Sequence, residues 1–200
     1  METNQPSLSS LFDSSREIQQ FLDEFTKMYL KPLNQSLLAD CSLVAEVPLT
    51  TYNNLVGKTR VERLKHLPSN QAIWGILLGD TVVSVLHLTY INDCMLGAEP
   101  GRRHILQWSY SFTSPDSKFL RQGFSKALRL ASMLWGIKRG CSYINSVPFP
   151  GAYSNQLLIS FGFTRFNCLV TEMDYYIYHL TGIAELITFI NEKLSKYKKN

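Results

Sequence analysis

Residues 120–166 read LRQGFSKALRLASMLWGIKRGCSYINSVPFPGAYSNQLLISFGFTRF. Phe124, Ala127, Leu128, Ala131, Leu134 and Trp135 recur at helical spacing, which predicts a helix over Phe124–Arg139 with Lys126, Arg129 and Lys138 off its apolar stripe. Gly140 supplies the left-handed end. Cys141–Val147 reads as a strand, Tyr153–Phe161 as a short helix stopped at Gly162, and Phe163–His179 as one long strand or a hairpin. Gly123 stands just before the long helix, among Lys118, Arg121 and Lys126. The first amides of a helix lack intrahelical partners and its dipole is positive there, so this point is a candidate anion site. The stretch has neither a Walker-type phosphate loop nor a paired-glycine dinucleotide fingerprint.

Outward from this stretch the period changes. Ala72–Leu78 and Thr81–Tyr90 flank the turn pair Gly79-Asp80 and predict a β-hairpin. The loop Asn92–Arg103 follows, and His104–Thr113 then alternates as a third strand. A period of two sets Trp108, Tyr110 and Phe112 on a core face and Gln107, Ser109, Ser111 and Thr113 on the other. A strand–helix–strand crossover joins parallel neighbours, so an antiparallel meander turns parallel across the long helix. The predicted class is α/β, an α+β mixed sheet. At the N-terminal side, Ser14 or Ser15 caps a helix with Ile18, Phe21, Leu22, Phe25 and Met28 inward, stopped by Pro32. Ser42–Val47 reads as a short strand and Thr51–Leu67 as a second helical region. Ile183–Tyr197 closes the chain as an amphipathic helix with Ile183, Leu186, Ile187, Ile190 and Leu194 inward, and the final KLSKYKKN reads as a solvated tail. With no repeat and no linker, residues 1–200 are expected to form one domain: a helical N-terminal region (1–70), a core sheet (72–179) and a C-terminal helix (181–200).

At 200 residues, with 45% hydrophobic and 18% charged side chains, the composition is globular and excludes a wholly disordered chain. Cys41, Cys94, Cys141 and Cys168 are scattered, which argues against a zinc cluster and for reduced thiols in a cytoplasmic protein. The first thirty residues lack an export signal, and no apolar run is long enough to span a bilayer. The net charge of +4 is unevenly placed. Lys118, Arg121, Lys126, Arg129, Lys138, Arg139 and Arg165 fall within residues 117–171, where there is no acid, and such a surface attracts an anionic ligand. It lacks the interleaved aromatic and basic groups of a nucleic-acid groove, so neither nucleic acid nor membrane is expected as a partner.

From about Ala72 to Phe166 the chain resembles the GCN5-related N-acetyltransferase family. Gly123 matches the central glycine of that family's pyrophosphate loop, Ala127-Leu128 the small residue and leucine after it, and Arg139-Gly140 the helix end. Ser154 and Leu157 match the short helix, and Gly162-Phe163 the closing pair. Leu120 and Ser125 depart from the loop pattern without removing its amides. The resemblance implies that acetyl-coenzyme A, or another acyl-coenzyme A, is the co-substrate, with no metal. It places the cofactor against Ser111, Phe112, Thr113, Arg121, Gln122, Gly123, Phe124, Ser125, Lys126 and Asn155, and the acceptor beside residues 1–70. Leu158 stands where many members carry a tyrosine that protonates the leaving thiolate, and Tyr153 is the nearest replacement acid. Gln107 lies where a family carboxylate base is often found; its amide orients a water or an amine but takes no proton. His87 reads as a satisfied half-buried group, His104 is too far along its strand, and Glu172 and Asp174 lie on the late strand. The implied activity is acyl-coenzyme A-dependent N-acylation, most simply acetylation, of a primary amine of a small molecule or peptide by direct attack in a ternary complex. Acyl-coenzyme A and the amine acceptor are the implied partners, with a homodimer admissible. The rival is a non-catalytic acyl-coenzyme A-binding or interaction module on the same fold, favoured by Leu158 and by the want of a base.

Overall fold

A computed structural model describes residues 15–33, 37–57, 64–91, 104–148, 153–168, 173–180 and 182–198. Gly79 and Asp80 turn the chain between β2 (Gln71–Leu78) and β3 (Thr81–Ile91), and β1 (Cys41–Val44) adds antiparallel to β2. β4 (His104–Thr113) follows β3 antiparallel, α3 (Phe124–Lys138) crosses over, and β5 (Cys141–Ser146) lies parallel to β4. The last part of the sheet is a hairpin. β6 (Thr164–Cys168) pairs with β7 (Met173–His179), and β7 sits between β5 and β6, giving the order β1-β2-β3-β4-β5-β7-β6. α4 (Tyr153–Ser160) joins β5 to β6, and α5 (Ile183–Ser195) closes the chain. The meander and its parallel switch are as the periodicity predicts. The loop Asn92–Arg103 lies outside the described residues.

The main core lies on the α3 face of the sheet, where Trp74 meets Trp135 edge-on at 5.7 Å. α1 (Ser15–Phe25) and α5 pack on α3 from the other sides. α3 is therefore buried around most of its circumference, and Arg129, expected off the stripe, is only 5% exposed. A smaller cluster fills the opposite face, where Tyr52 and Val56 of α2 (Leu49–Val56) cover Ile73 and Val85.

Five boundaries or faces differ from expectation, each for a local reason. A π-helical turn over Thr26–Leu30 follows α1 and widens the helix, so Leu30 is buried and Met28 is 54% exposed. The short strand ends at Val44 because Gln19 captures the Ala45 amide and the Leu43 carbonyl, both at 2.9 Å. α2 ends at Val56 rather than Leu67. Asn53 bonds both backbone groups of Leu64, holding that residue back beside the helix instead of extending it. Ile183 is 43% exposed because, as the first residue of α5, it precedes the inward positions that begin at Leu186. Finally, Tyr197 is no part of a solvated tail: it packs against the main core.

Candidate acyl-coenzyme A site

The site is built from an irregularity in β4. Leu88 pairs with Trp108 and His87 with Tyr110, so Ser109 is an inserted bulge residue. The bulge reverses the alternation. Trp108 points to α3, donating its indole N–H to Ser132 Oγ at 2.9 Å, while Tyr110 stacks on His87 and Phe112 packs with the Val85 cluster on the opposite face. The expectation that Trp108, Tyr110 and Phe112 share one face is thus corrected. So is the shared face of Gln107, Ser109, Ser111 and Thr113. Gln107 and Ser109 stay opposite α3, with Ser109 Oγ 3.0 Å from Thr89 Oγ1, whereas Ser111 Oγ reaches Ser125 Oγ on α3 at 2.6 Å.

The same bulge opens the sheet. Pairing of β4 with β5 stops at Trp108 and Ser146, yet β4 continues beside β3 to Thr113. Ser114 N–H donates to Val83 O at 2.8 Å. Alternation therefore turns the amide edge of Phe112 toward β3 and the edges of Ser111 and Thr113 into the gap beside β5. Thr113 Oγ1 is held by Ser84 Oγ at 2.9 Å, which fixes the end of this edge.

α3 begins across that gap. Its N-cap, Gly123, has φ of 87° and offers no side-chain cap, and the first helical bond runs from Ala127 N–H to Gly123 O. The first amides of the helix, from Phe124 and Ser125, thus precede the first helical bond. Arg121 also sits in the left-handed region at φ 61°, so the loop turns sharply twice before the helix. Arg121 is exposed and Gln122 half-buried, while Phe124 is buried on Phe119 and brings only its backbone to the loop. Asn155 of α4 carries a buried Oδ1 with no hydrogen-bond partner. Tyr153 opens α4, but its side chain lies outside what is described. Leu158 is fully buried in the core. Asp174 is tied to Arg165 at 2.7 Å within the β6–β7 hairpin, and this ion pair holds its carboxyl below the usual range. Glu172 lies outside the described residues, as does the side chain of His104.

Three side chains are placed otherwise than the sequence suggests. Arg129 is buried under the bulge. Tyr197 lies over Gly123, its ring close enough that a Cβ there would stand 2.5 Å from Cζ. The third is His87, which is 4% exposed. Its Nε2–H donates to Gln71 Oε1 at 2.8 Å, while Nδ1 is buried without a partner and the ring meets Tyr52 edge-on at 6.0 Å. His87 is therefore only half satisfied. Burial lowers its pKa to about 4, so the fold holds the ring neutral. The unfolded chain protonates near the ordinary value of about 6.5, so stability present above that pH is lost as pH falls toward 4. Between pH 7 and 5 this group is expected to cost about 2 kcal/mol. Urea unfolding of the wild type and His87→Gln at both pH values checks this; equal losses in the two proteins would exclude it.

Among the described residues no His, Cys, Asp or Glu side chains gather as a metal site, and no helix is long and apolar enough to cross a membrane. No protein-family model matches the chain, and no curated protein matches it in sequence. Solved structures match in fold. NAA60 of Arabidopsis thaliana, in complex with a bisubstrate analogue, aligns with a TM-score of 0.56 at 10% identity over 70% of this chain and 99% of that one. The ribosomal-protein-S18-alanine N-acetyltransferase from Escherichia coli aligns at 0.53 and 12% identity over 71% and 95%. A mutant AtaT toxin bound to the C-terminus of the antitoxin AtaR and acetyl-CoA aligns at 0.54 and 13% identity over 74% and 99%. The chain therefore carries the fold of the GCN5-related N-acetyltransferases.

Proposed function

We propose that this protein is an acyl-coenzyme A-dependent N-acyltransferase, moving an acyl group (acetyl in the simplest case) to a primary amine of a small molecule or peptide. The observation that carries this reading is the parting of β4 from β5 at Ser109, directly beside the uncapped amides of α3. The fit to coenzyme A is local. Gly123 puts no side-chain cap on the helix start, where a pyrophosphate would meet its amides beside the Tyr197 ring; Arg121, Gln122 and Lys126 flank it, and Asn155 Oδ1 lacks a donor. Ser111 and Thr113 offer backbone donors and acceptors to the amide-bearing pantetheine arm, as an added strand would.

Within that frame the side chains divide the work. The amine nitrogen attacks the thioester carbon, and the carbonyl oxygen gains charge that the Ser111 amide in the gap stabilises. The C–S bond then breaks with its electron pair going to sulfur, which takes a proton; Tyr153, at the start of α4, is the donor we assign. Gln107 orients the amine from the face opposite α3, and the proton the amine loses goes to water, since an amide side chain accepts none. Residues 1–70, through α1 and α2, form the acceptor side of the single domain. A cavity of about 400 Å³ lies in that region between Glu46, Pro68 and Gln71, two strands from β4.

Coenzyme A at a hundred times its dissociation constant should stabilise the native state by about 2.7 kcal/mol, raising the melting temperature by roughly 5–10 °C. No shift would sink the reading. Thiol release from acetyl-coenzyme A over a panel of amines then tests turnover. Leu158, buried in the core and standing where the resembled family often carries a tyrosine, favours one second reading, a binding module without catalysis. Tight binding with no turnover on any amine would decide for it.

A further inference from the structure

Arg129 carries a buried charge for which the described residues offer no counterion. Its Nε and Nη1 are buried without hydrogen-bond partners, and its nearest compensation is the Trp108 ring, 5.2 Å from Cζ. Burial lowers its pKa to about 10, which leaves it protonated at neutral pH. A guanidinium with two of its nitrogens buried and unpaired among the described residues is costly, and an aromatic face returns only part of what a carboxylate would.

Its position is set by two contacts on the same helix. One turn earlier Ser125 bonds Ser111, beyond the bulge; three residues later Ser132 bonds Trp108, before it. Arg129 therefore lies level with Ser109, at the apex of the gap, where the last paired residues Trp108 and Ser146 are also tied by Ser146 Oγ–H donating to Trp108 O at 3.1 Å. A pantetheine arm that enters past the start of α3 and runs along Ser111 and Thr113 brings its far end, the acyl group, to that apex.

We infer that Arg129 selects an acyl donor whose acyl group ends in a carboxylate, a short dicarboxylic acyl-coenzyme A, and pairs with that carboxylate at the apex of the β4–β5 gap. This rests on the acyl-coenzyme A reading above and specifies its donor. A neutral acetyl or butyryl group fills space there but leaves the charge unpaired. A succinyl group has butyryl's chain length and supplies the missing anion, a charge-assisted pairing that Arg suits.

The test is thermal melting of the full chain with coenzyme A, acetyl-, butyryl- and succinyl-coenzyme A, titrated to give dissociation constants for the wild type and Arg129→Met. Wild type should bind succinyl-coenzyme A at least about tenfold more tightly than butyryl-coenzyme A. Arg129→Met, which replaces the charge with an apolar chain, should abolish or reverse that preference while binding free coenzyme A as the wild type does. Unliganded, it should melt at or above the wild-type temperature, because an uncompensated buried charge is gone. Equal affinity of wild type for succinyl and butyryl donors, which needs no variant to measure, overturns the inference. So does a succinyl preference that survives in Arg129→Met. If none of the four compounds shifts the melt, the acyl-coenzyme A reading falls and this inference with it; a shift by coenzyme A without a succinyl advantage overturns the inference alone.

Discussion

Trp108→Ala should cost this protein about 3–5 kcal/mol, the upper range for a buried large-to-small change and a large share of the roughly 5–15 kcal/mol that holds an ordinary domain folded. The ring is 1% exposed and meets Phe161 edge-on at 5.8 Å and Phe163 at 5.1 Å, so it joins β4 to the segment that closes α4. Its removal leaves a cavity there that neighbours on a strand and a helix cannot readily collapse to fill. Ser132 loses the indole donor but keeps its bond to Arg129 O at 2.8 Å, so that hydroxyl is not orphaned. Arg129 fares worse, since the ring that faces its guanidinium is gone. Trp108→Phe keeps most of the area and the aromatic contacts and should lose only about 1–2 kcal/mol. The midpoint of urea unfolding at neutral pH reads both. A loss below about 1 kcal/mol in the alanine variant would show that β4 is not anchored through this ring.

The same residue marks the limit of what periodicity conveys. The strands and the long helix were legible because apolar spacing of two and of about 3.6 is maintained over whole elements. The parallel switch followed because one helix separates two strands. The bulge left no such mark. Ser109 is a small polar residue in an alternating polar–aromatic run, and inserting one residue changes which face each later side chain takes without changing composition. The reading therefore set Ser111 beside Gln107, when the folded strand sends one to α3 and the other away from it. The backbone part of the site survived the error because Gly123 and the helix start are a matter of chain conformation rather than of face. Arg129 was hidden for another reason. A helix with one wet face would expose it, but the fold turns it toward β4 and over the Trp108 ring, a contact between residues far apart in the chain. Tyr197 was lost among lysines, which describe a tail's charge but not the one ring in it that packs.

That ring and the glycine beneath it carry the second large effect. Gly123→Val should abolish binding of coenzyme A while leaving a folded protein. The backbone there has φ of 87°, where a residue with a Cβ is strained by about 1–2 kcal/mol, more for a branched one. A Cβ would also stand 2.5–2.8 Å from three atoms of the Tyr197 ring, so the ring must leave, taking with it the contact in which Lys126 Nζ lies 5.4 Å over its face. Both consequences fall on the amides that would hold the pyrophosphate: the helix start shifts to relieve φ, and the valine stands beside them. Backbone strain alone is separated from site damage by Gly140→Ala. Gly140 has φ of 75° with nothing within 4 Å of its Cβ position, and it lies at the other end of the same helix. This variant should lose a comparable 1–2 kcal/mol and keep the full melting shift with coenzyme A. Tyr197→Ala separates the remaining part: added to Gly123→Val it should recover the stability lost to the clash, but not the ligand, because strain and bulk stay at the helix start. If Gly123→Val binds coenzyme A within about threefold of the wild type, less than about 0.7 kcal/mol, the anion site is not at this helix.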